Sequence, residues 1–135
     1  MGLIVKFYLI LILSIFLTIN CSGQQNYIGW TTTEIETQLV NDSNLQIIGH
    51  TKHSISVVNK QFEFGATYLF NKGICYSYIL TYTYDDLELA LKLLNKLFIR
   101  YDVNTWFNFN DNKTYQLKLE KDEDFFNIVW ILQTK

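Results

Sequence analysis

Two alternating runs on either side of a short polar turn restrict the fold of this sequence more than any other feature. Residues 62–70 read FEFGATYLF, and aromatic or small apolar side chains occupy every second position. Residues 74–84 read ICYSYILTYTY and alternate in the same way, with NKG between the two runs. A period of two residues is typical of a strand whose two faces differ, and Asn-Lys-Gly suits the tight turns of antiparallel strands. The segment therefore predicts a β-hairpin and, with it, an antiparallel sheet.

The second run places a row of large side chains on one face of its predicted strand. That face consists of Ile74, Tyr76, Tyr78, Leu80, Tyr82 and Tyr84. Tyrosines in such a row either pack beneath a helix or form an exposed amphipathic surface of the kind that is enriched in protein interfaces. The second alternative makes a candidate binding face of Tyr76, Tyr78, Tyr82 and Tyr84.

The hydrophobic period changes from two to 3.6 directly after this hairpin. Residues 85–101 read DDLELALKLLNKLFIRY, with apolar side chains on one helical face and charged ones opposite. The apolar arc consists of Leu87, Ala90, Leu91, Leu93, Leu94, Leu97, Phe98 and Tyr101. We therefore expect a long amphipathic helix over this segment.

A shorter helix is predicted near the start of the body of the chain. Thr31 with Glu34, or Thr33 with Glu36, has the spacing of a capping box. We expect the helix to cover residues 32–40.

Further strands are predicted on both sides of the long helix. Residues 44–58, NLQIIGHTKHSISVV, contain two β-branched runs around a polar turn and predict a second hairpin. The last third alternates in three runs, TWFNF, TYQLKLE and FFNIVWIL, which the polar tetrads NDNK and KDED separate. The order is helix, strands, helix, strands. We expect a two-layer α+β fold in which one long and one short helix pack on an antiparallel sheet.

The N-terminal residues have the composition of an export signal. Lys6 precedes a short apolar run, and Cys21-Ser22-Gly23 provides small residues before a cleavage point. Residues 1–24 are therefore predicted to be a signal peptide and residues 25–135 a single domain. We expect a location in the periplasm, the outer envelope or the extracellular space. An uncleaved membrane anchor is the alternative.

Cys21 has a second interpretation as a lipid attachment point. Lipoprotein processing would make it the first residue of the mature chain and acylate it, whereas ordinary cleavage would remove it. In both cases it is unavailable to Cys75, so no disulfide is expected in the mature domain.

Few residues are candidates for chemistry. His50 and His53 lie in one turn without a further ligand beside them, and Cys75 lies in the middle of a predicted strand. The calcium-like segment NFNDNK lacks the central Gly and the final Glu of an EF-hand loop. We therefore predict no catalytic residue, no cofactor and no metal site. A net charge of −2 and a pI near 5.6 also argue against a nucleic-acid partner.

The export segment, the nearby cysteine and YIGWTTTEIETQL resemble small exported α+β proteins whose first helix opens with Gly-x-Thr-x-x-Glu-Ile/Val. These include the small lipoprotein of the outer-membrane β-barrel assembly machinery and β-lactamase-inhibitor-like domains. Residues 29–35 carry the likeness. The Asn, Ile, Lys and Tyr content is also similar to that of uncharacterised exported proteins of Bacteroidetes type. The resemblance implies a binding or scaffolding role without catalysis.

The function that the sequence favours is that of an exported, non-catalytic domain that binds another protein through its sheet face or edge. One alternative is a structural envelope lipoprotein tethered to the membrane through Cys21. Another is a small hydrolase or metal-dependent enzyme whose residues are dispersed along the chain.

Overall fold

A computed structural model describes residues 26–61, 63–110 and 112–133. The predicted export segment, its cleavage point and Cys21 lie outside these residues, and so does Phe62. Within the described ranges, neither helix is long and apolar enough to span a membrane.

Two helices and eight strands follow one another along the described part of the chain. The first half contains α1 (Thr32–Val40), β1 (Leu45–His50), β2 (Ser54–Asn59), β3 (Phe64–Asn71) and β4 (Ile74–Thr83). The second half contains a 3-10 turn (Tyr84–Asp86), α2 (Leu87–Leu97), β5 (Ile99–Asp102), β6 (Thr105–Asn110), β7 (Lys113–Lys121) and β8 (Phe125–Leu132). The predicted α+β class with an antiparallel sheet and two helices is confirmed.

The eight strands form one antiparallel sheet in the order β1-β2-β3-β4-β8-β7-β6-β5. Each half of the chain contributes a four-stranded meander. The two meanders meet where β4 pairs with β8, from Ser77 opposite Ile131 to Thr83 opposite Phe125. β1 and β5 are therefore the edge strands.

One row of buried side chains crosses the sheet and forms the centre of the core. Directly paired positions bring together Ile55, Tyr68, Tyr78, Trp130, Leu117 and Trp106. Each of the six is at most 5% exposed. We call the side of the sheet that carries this row the covered face and the opposite side the open face.

The helices contribute their apolar side chains to the same core as the covered face. The Trp106 indole Nε1 donates a hydrogen bond to Asn95 Oδ1 of α2 at 2.9 Å. The Phe98 ring, just after α2, meets the Trp130 ring with their centroids 5.6 Å apart. The buried helix residues are Ile35 and Leu39 of α1 and Ala90 and Leu94 of α2.

α1 begins with one of the two capping boxes that the sequence offers. The Thr31 hydroxyl accepts a hydrogen bond from the Glu34 backbone N–H at 3.2 Å, and the Glu34 carboxylate accepts one from the Thr31 N–H at 3.0 Å. Two N–H groups that a helix leaves unpaired are thereby satisfied. The predicted bounds of this helix are confirmed.

The β3–β4 hairpin turn follows the predicted chemistry. Lys72 and Gly73 have φ angles of 53° and 76°. Two successive positive φ angles define a turn whose twist matches that of the flanking strands. The hairpin is confirmed.

The predicted long helix is wrong at its C-terminal end. α2 ends at Leu97, Phe98 is extended with φ −127° and ψ 165°, and residues 99–102 form β5. The backbone of β5 pairs with β6, and the Arg100 guanidinium carbon lies 5.5 Å from the centroid of the Trp106 ring. Pairing with a neighbouring strand thus overrides the helical period of the sequence.

Candidate interaction surface

The four tyrosines predicted to share one face of β4 do not share it. Leu69 pairs with Ser77 and Phe70 with Cys75, which leaves Tyr76 as an extra residue in a β-bulge. A bulge shifts the alternation of side chains by one position. Before the bulge the odd-numbered residue Cys75 points to the covered face. After the bulge the even-numbered residue Tyr78 points to that face. The prediction that Tyr76, Tyr78, Tyr82 and Tyr84 share one face is therefore wrong.

Two of the predicted tyrosines belong to the interior. Tyr78 and Tyr82 are 0% and 1% exposed. Tyr78 stacks on Trp130 with a centroid distance of 5.4 Å, and Tyr82 stacks on Phe126 at the same distance. In the part of the chain that the structure describes, neither hydroxyl has a hydrogen-bond partner. These two rings are packing residues and cannot contact a partner.

Burial has a large effect on the acidity of a group of four phenols. We call Tyr27, Tyr68, Tyr78 and Tyr82 the tyrosine cluster. Burial raises the pKa of Tyr27 to about 12, and the negative charge of Asp42 adds to the shift. Burial likewise raises the pKa of the other three well above the usual value near 10, and Asp86 adds to the shift at Tyr82. The cluster is therefore protonated at neutral pH.

The other two predicted tyrosines lie at the protein surface. Tyr76, the bulged residue, is 50% exposed. Tyr84 begins the 3-10 turn, and its hydroxyl donates a hydrogen bond to the carbonyl oxygen of Asp122 in the β7–β8 connection. The two rings do not form one surface, because Tyr78 and Tyr82 between them are buried, and the Tyr84 ring lies against Phe126 with the centroids 6.2 Å apart.

The open face consists of the side chains that point away from the row of buried residues that crosses the sheet. One row of paired positions crosses it from β2 to β5 as Ser54, Leu69, Ser77, Ile131, Gln116, Phe107 and Ile99. A second row crosses all eight strands as Gly49, Ser56, Thr67, Ile79, Val129, Lys118, Thr105 and Asp102. Most of these side chains are half-buried or exposed, and Ser77 and Thr105 are the buried exceptions.

The most apolar part of the open face lies on β5 and β6. We call Ile99, Tyr101, Phe107 and Phe109 the aromatic corner. The Tyr101 and Phe107 ring centroids are 5.4 Å apart, and those of Phe107 and Phe109 are 6.3 Å apart. Ile99, Tyr101 and Phe109 are 62%, 72% and 61% exposed. Contiguous apolar groups with this exposure mark interaction sites more often than scattered ones do.

Both edge strands carry features that oppose the addition of a further strand. β1 has a register shift between Ile47 and Gly49, and β5 has one between Arg100 and Asp102. The Arg100 guanidinium also donates to the carbonyl oxygens of Asp102 and Val103, each at 3.0 Å. Bulges and occupied backbone groups are common devices against edge-to-edge pairing. A partner is therefore better accommodated on the open face than at an edge.

The two histidines occupy the β1–β2 hairpin. His50 Nε2 lies 3.7 Å from a carboxylate oxygen of Glu36 on α1, and both side chains are about half exposed. His53 is an exposed turn residue. Within residues 26–61, 63–110 and 112–133, no group of three or more His, Cys, Asp or Glu side chains is arranged to hold a metal ion.

Cys75 is a packing residue of β4. Its side chain is 1% exposed, and its thiol donates to the Ser77 carbonyl oxygen at 3.4 Å. Burial raises the pKa of the thiol to about 11, against which the hydrogen bonds act only partly. A thiolate, the reactive form, is therefore scarce near neutral pH.

The sequence interpretation missed the aromatic corner. It assigned Tyr101 to the apolar arc of a helix and treated the run around Phe107 as an ordinary strand of the meander. One signal was present, since residues 99–102 alternate as Ile-Arg-Tyr-Asp, with apolar side chains at every second position.

The chain matches no known protein-family model, no curated protein and no solved structure.

Proposed function

We propose that this chain is an exported, non-catalytic α+β domain that binds a protein partner through the open face of its sheet. The observation that carries the proposal is the aromatic corner, where Ile99, Tyr101 and Phe109 are each more than 60% exposed and lie together on one surface. Aromatic side chains in water-accessible clusters are enriched in protein interfaces, because each ring buries a large apolar area at low entropic cost.

The proposed arrangement has two layers in the order helix, strands, helix, strands. The helices and the segment that contains Tyr27 form one layer, and the sheet forms the other. This arrangement leaves the open face for a partner. The absence of a strong charge on that face favours a protein over a polyanion, since Asp102 and Glu120 are offset in part by Lys118.

Export and the location in the cell envelope or extracellular space are part of the same proposal. The apolar N-terminus with its small-residue cleavage point supports them, and so does the resemblance of residues 29–35 to small exported α+β proteins. The mass of the protein purified from the cell envelope tests this part. A mature chain that starts at Gln24 or Gln25 is the expected result, and an acylated Cys21 would instead indicate a lipid-tethered component.

Site-specific photo-crosslinking tests binding through the open face. A photoreactive amino acid placed at Phe109 should form an adduct with a partner protein. The matched control is the same amino acid at Val40, which is 66% exposed on α1 and thus comparably accessible. Adducts from position 109 and none from position 40 would support the proposal. Equal adducts from both positions, or none from position 109, would refute it.

A further inference from the structure

We propose that the partner on the open face is a second copy of this chain, in a dimer whose two-fold axis lies between the two sheets and runs parallel to β4 and β8. This inference rests on the proposed function, because it names the occupant of the same surface. It follows from the order of the strands, from the sizes of the side chains and from the area of the face.

The strand order allows such a rotation to place strand over strand across the whole sheet. β4 and β8 lie at the centre of the sheet, with three strands on each side. A two-fold rotation about an axis parallel to them places β2 of one copy opposite β6 of the other, and β3 opposite β7. Each row of side chains then lies over the same row of the second copy in reverse order. An interface of this kind uses the same surface on both subunits.

Side-chain sizes fit together in this arrangement. The half of the open face on β1, β2 and β3 carries five small residues, Gly49, Ser54, Ser56, Gly65 and Thr67, together with the larger Val58 and Leu69. The other half carries the aromatic corner. The rotation places Phe107 of one copy over Ser54 of the other, and Ile131 over Ser77. In these two pairs a large group faces a small one, as close packing between two sheets requires, and the rotation places Leu69 over Gln116.

An apolar pair lies at the centre of the dimer, and Lys118 offsets part of the negative charge of Asp102 and Glu120 within each chain. Ile79 and Val129 are paired in one sheet. The rotation places Ile79 of one copy over Val129 of the second copy, and Val129 over Ile79. Asp102, at the periphery, has its pKa lowered by hydrogen bonds from Asn104 and Thr105 and by the positive charge of Lys118. Two such faces can approach without strong repulsion.

The area of the open face suits a stable homodimer. Eight strands at about 4.8 Å spacing are about 38 Å wide, and a six-residue strand such as β6 is about 20 Å long. The product is roughly 750 Å², close to the ~800 Å² that each partner buries in a standard protein interface. Two twisted sheets of equal hand also pack face to face with their strands nearly aligned.

The test is a charge exchange between two residues that the dimer brings together and the single chain keeps apart. The rotation places Thr67 on β3 over Lys118 on β7 of the second copy. Within one chain β4 and β8 separate these strands, so the two positions are about 14 Å apart, beyond the screening length of ~8 Å at physiological salt. The protein is expressed as residues 1–135 and purified in the form that the cell produces. Its dissociation constant as a dimer is measured by sedimentation between about 1 and 100 μM.

Thr67→Lys introduces two like-charge contacts per dimer and should raise the dissociation constant roughly tenfold or more. Thr67→Lys combined with Lys118→Glu should restore it. Thr67→Ala is the matched control, since it also removes the Thr67–Ser56 hydroxyl contact at 3.1 Å but adds no charge. It should leave the dissociation constant within about threefold of the wild type. Circular dichroism verifies that each variant is folded.

A dimer that Thr67→Lys weakens and the double variant restores would establish the proposal. A wild-type chain that is monomeric at the highest concentration would overturn it, and so would a dimer that does not respond to the charge exchange. If the monomeric chain still forms an adduct with another protein from position 109, only the second copy is refuted and protein binding through the open face stands. If position 109 forms no adduct at all, both proposals fail.

Discussion

Tyr78→Phe is expected to make the protein more stable, although it deletes a polar group from a residue in the middle of the sheet. The Tyr78 hydroxyl oxygen has less than 1 Å² of accessible surface and, among the described residues, no hydrogen-bond partner. In the unfolded chain the same hydroxyl is bonded to water. Folding therefore removes a hydrogen bond with water and supplies nothing in return.

The magnitude follows from that desolvation. An unpaired buried hydroxyl costs about 1–3 kcal/mol. Phenylalanine retains the stacking with Trp130 at 5.4 Å and with Tyr68 at 5.9 Å between centroids, so the packing contacts of the ring remain. The small void left by the oxygen offsets part of the gain. We expect the free energy of unfolding to rise by about 1 kcal/mol and the melting temperature by about 4 °C.

The matched control is Tyr84→Phe, which removes a hydroxyl that does have a partner, the Asp122 carbonyl oxygen. Because Tyr84 is partly exposed, water replaces the lost bond to some extent, and we expect a loss of about 0.5 kcal/mol. Urea unfolding followed by tryptophan fluorescence measures both values, and an unchanged dependence on urea concentration shows that the comparison is valid. A loss of more than about 0.5 kcal/mol for Tyr78→Phe would refute the reasoning, since it would show that the hydroxyl is paired in the folded protein.

Three further predictions concern the tyrosine cluster, the β3–β4 turn and the contact between α2 and β6. Burial raises the pKa of each phenol in the cluster above its unfolded value near 10. Stability is therefore fully present below about pH 10 and falls above it by up to ~1.4 kcal/mol per pH unit per phenol, so tyrosinate absorbance and circular dichroism should change together on alkaline titration. Lys72→Asn should raise the free energy of unfolding by about 0.5 kcal/mol because Asn tolerates positive φ, and Gly73→Ala should lower it by about 1 kcal/mol, both measured by urea unfolding. Asn95→Ala leaves the buried Trp106 N–H without its acceptor and should lower the melting temperature by an amount equivalent to about 1–2 kcal/mol, whereas the exposed neighbour Lys96→Ala should change it by less than about 0.5 kcal/mol.

Local chemistry made much of the fold predictable. The capping box at Thr31 and Glu34 fixes the start of α1, because the two residues satisfy each other's backbone N–H groups without help from the rest of the chain. The turn at Lys72 and Gly73 fixes the β3–β4 hairpin in the same local way. A feature that depends only on residues within one turn or one hairpin can therefore be predicted from the sequence.

The candidate surface was less predictable because it depends on pairing between strands. The bulge at Tyr76 is a property of how β4 aligns with β3, and nothing in the tyrosine alternation reveals it. Tyr101 fits a helical arc as well as it fits a strand, and only the presence of β6 decides between them. The residues of the open face can likewise be identified only from the register, which assigns each side chain to one face of the sheet.

The pairing of β4 with β8, which joins the two meanders, can form only after β8 has been synthesised. As the chain leaves the ribosome, the first half is completed with β4 as a temporary edge, because its neighbour β8 is the last of the eight described strands to be synthesised. That edge presents unpaired backbone groups throughout the synthesis of α2 and three further strands. β3 and β4 contain no charged residue. They therefore lack the charges that discourage pairing with another molecule. The late synthesis of β8 therefore leaves the first meander exposed to aggregation for longer than any other part of the described sheet.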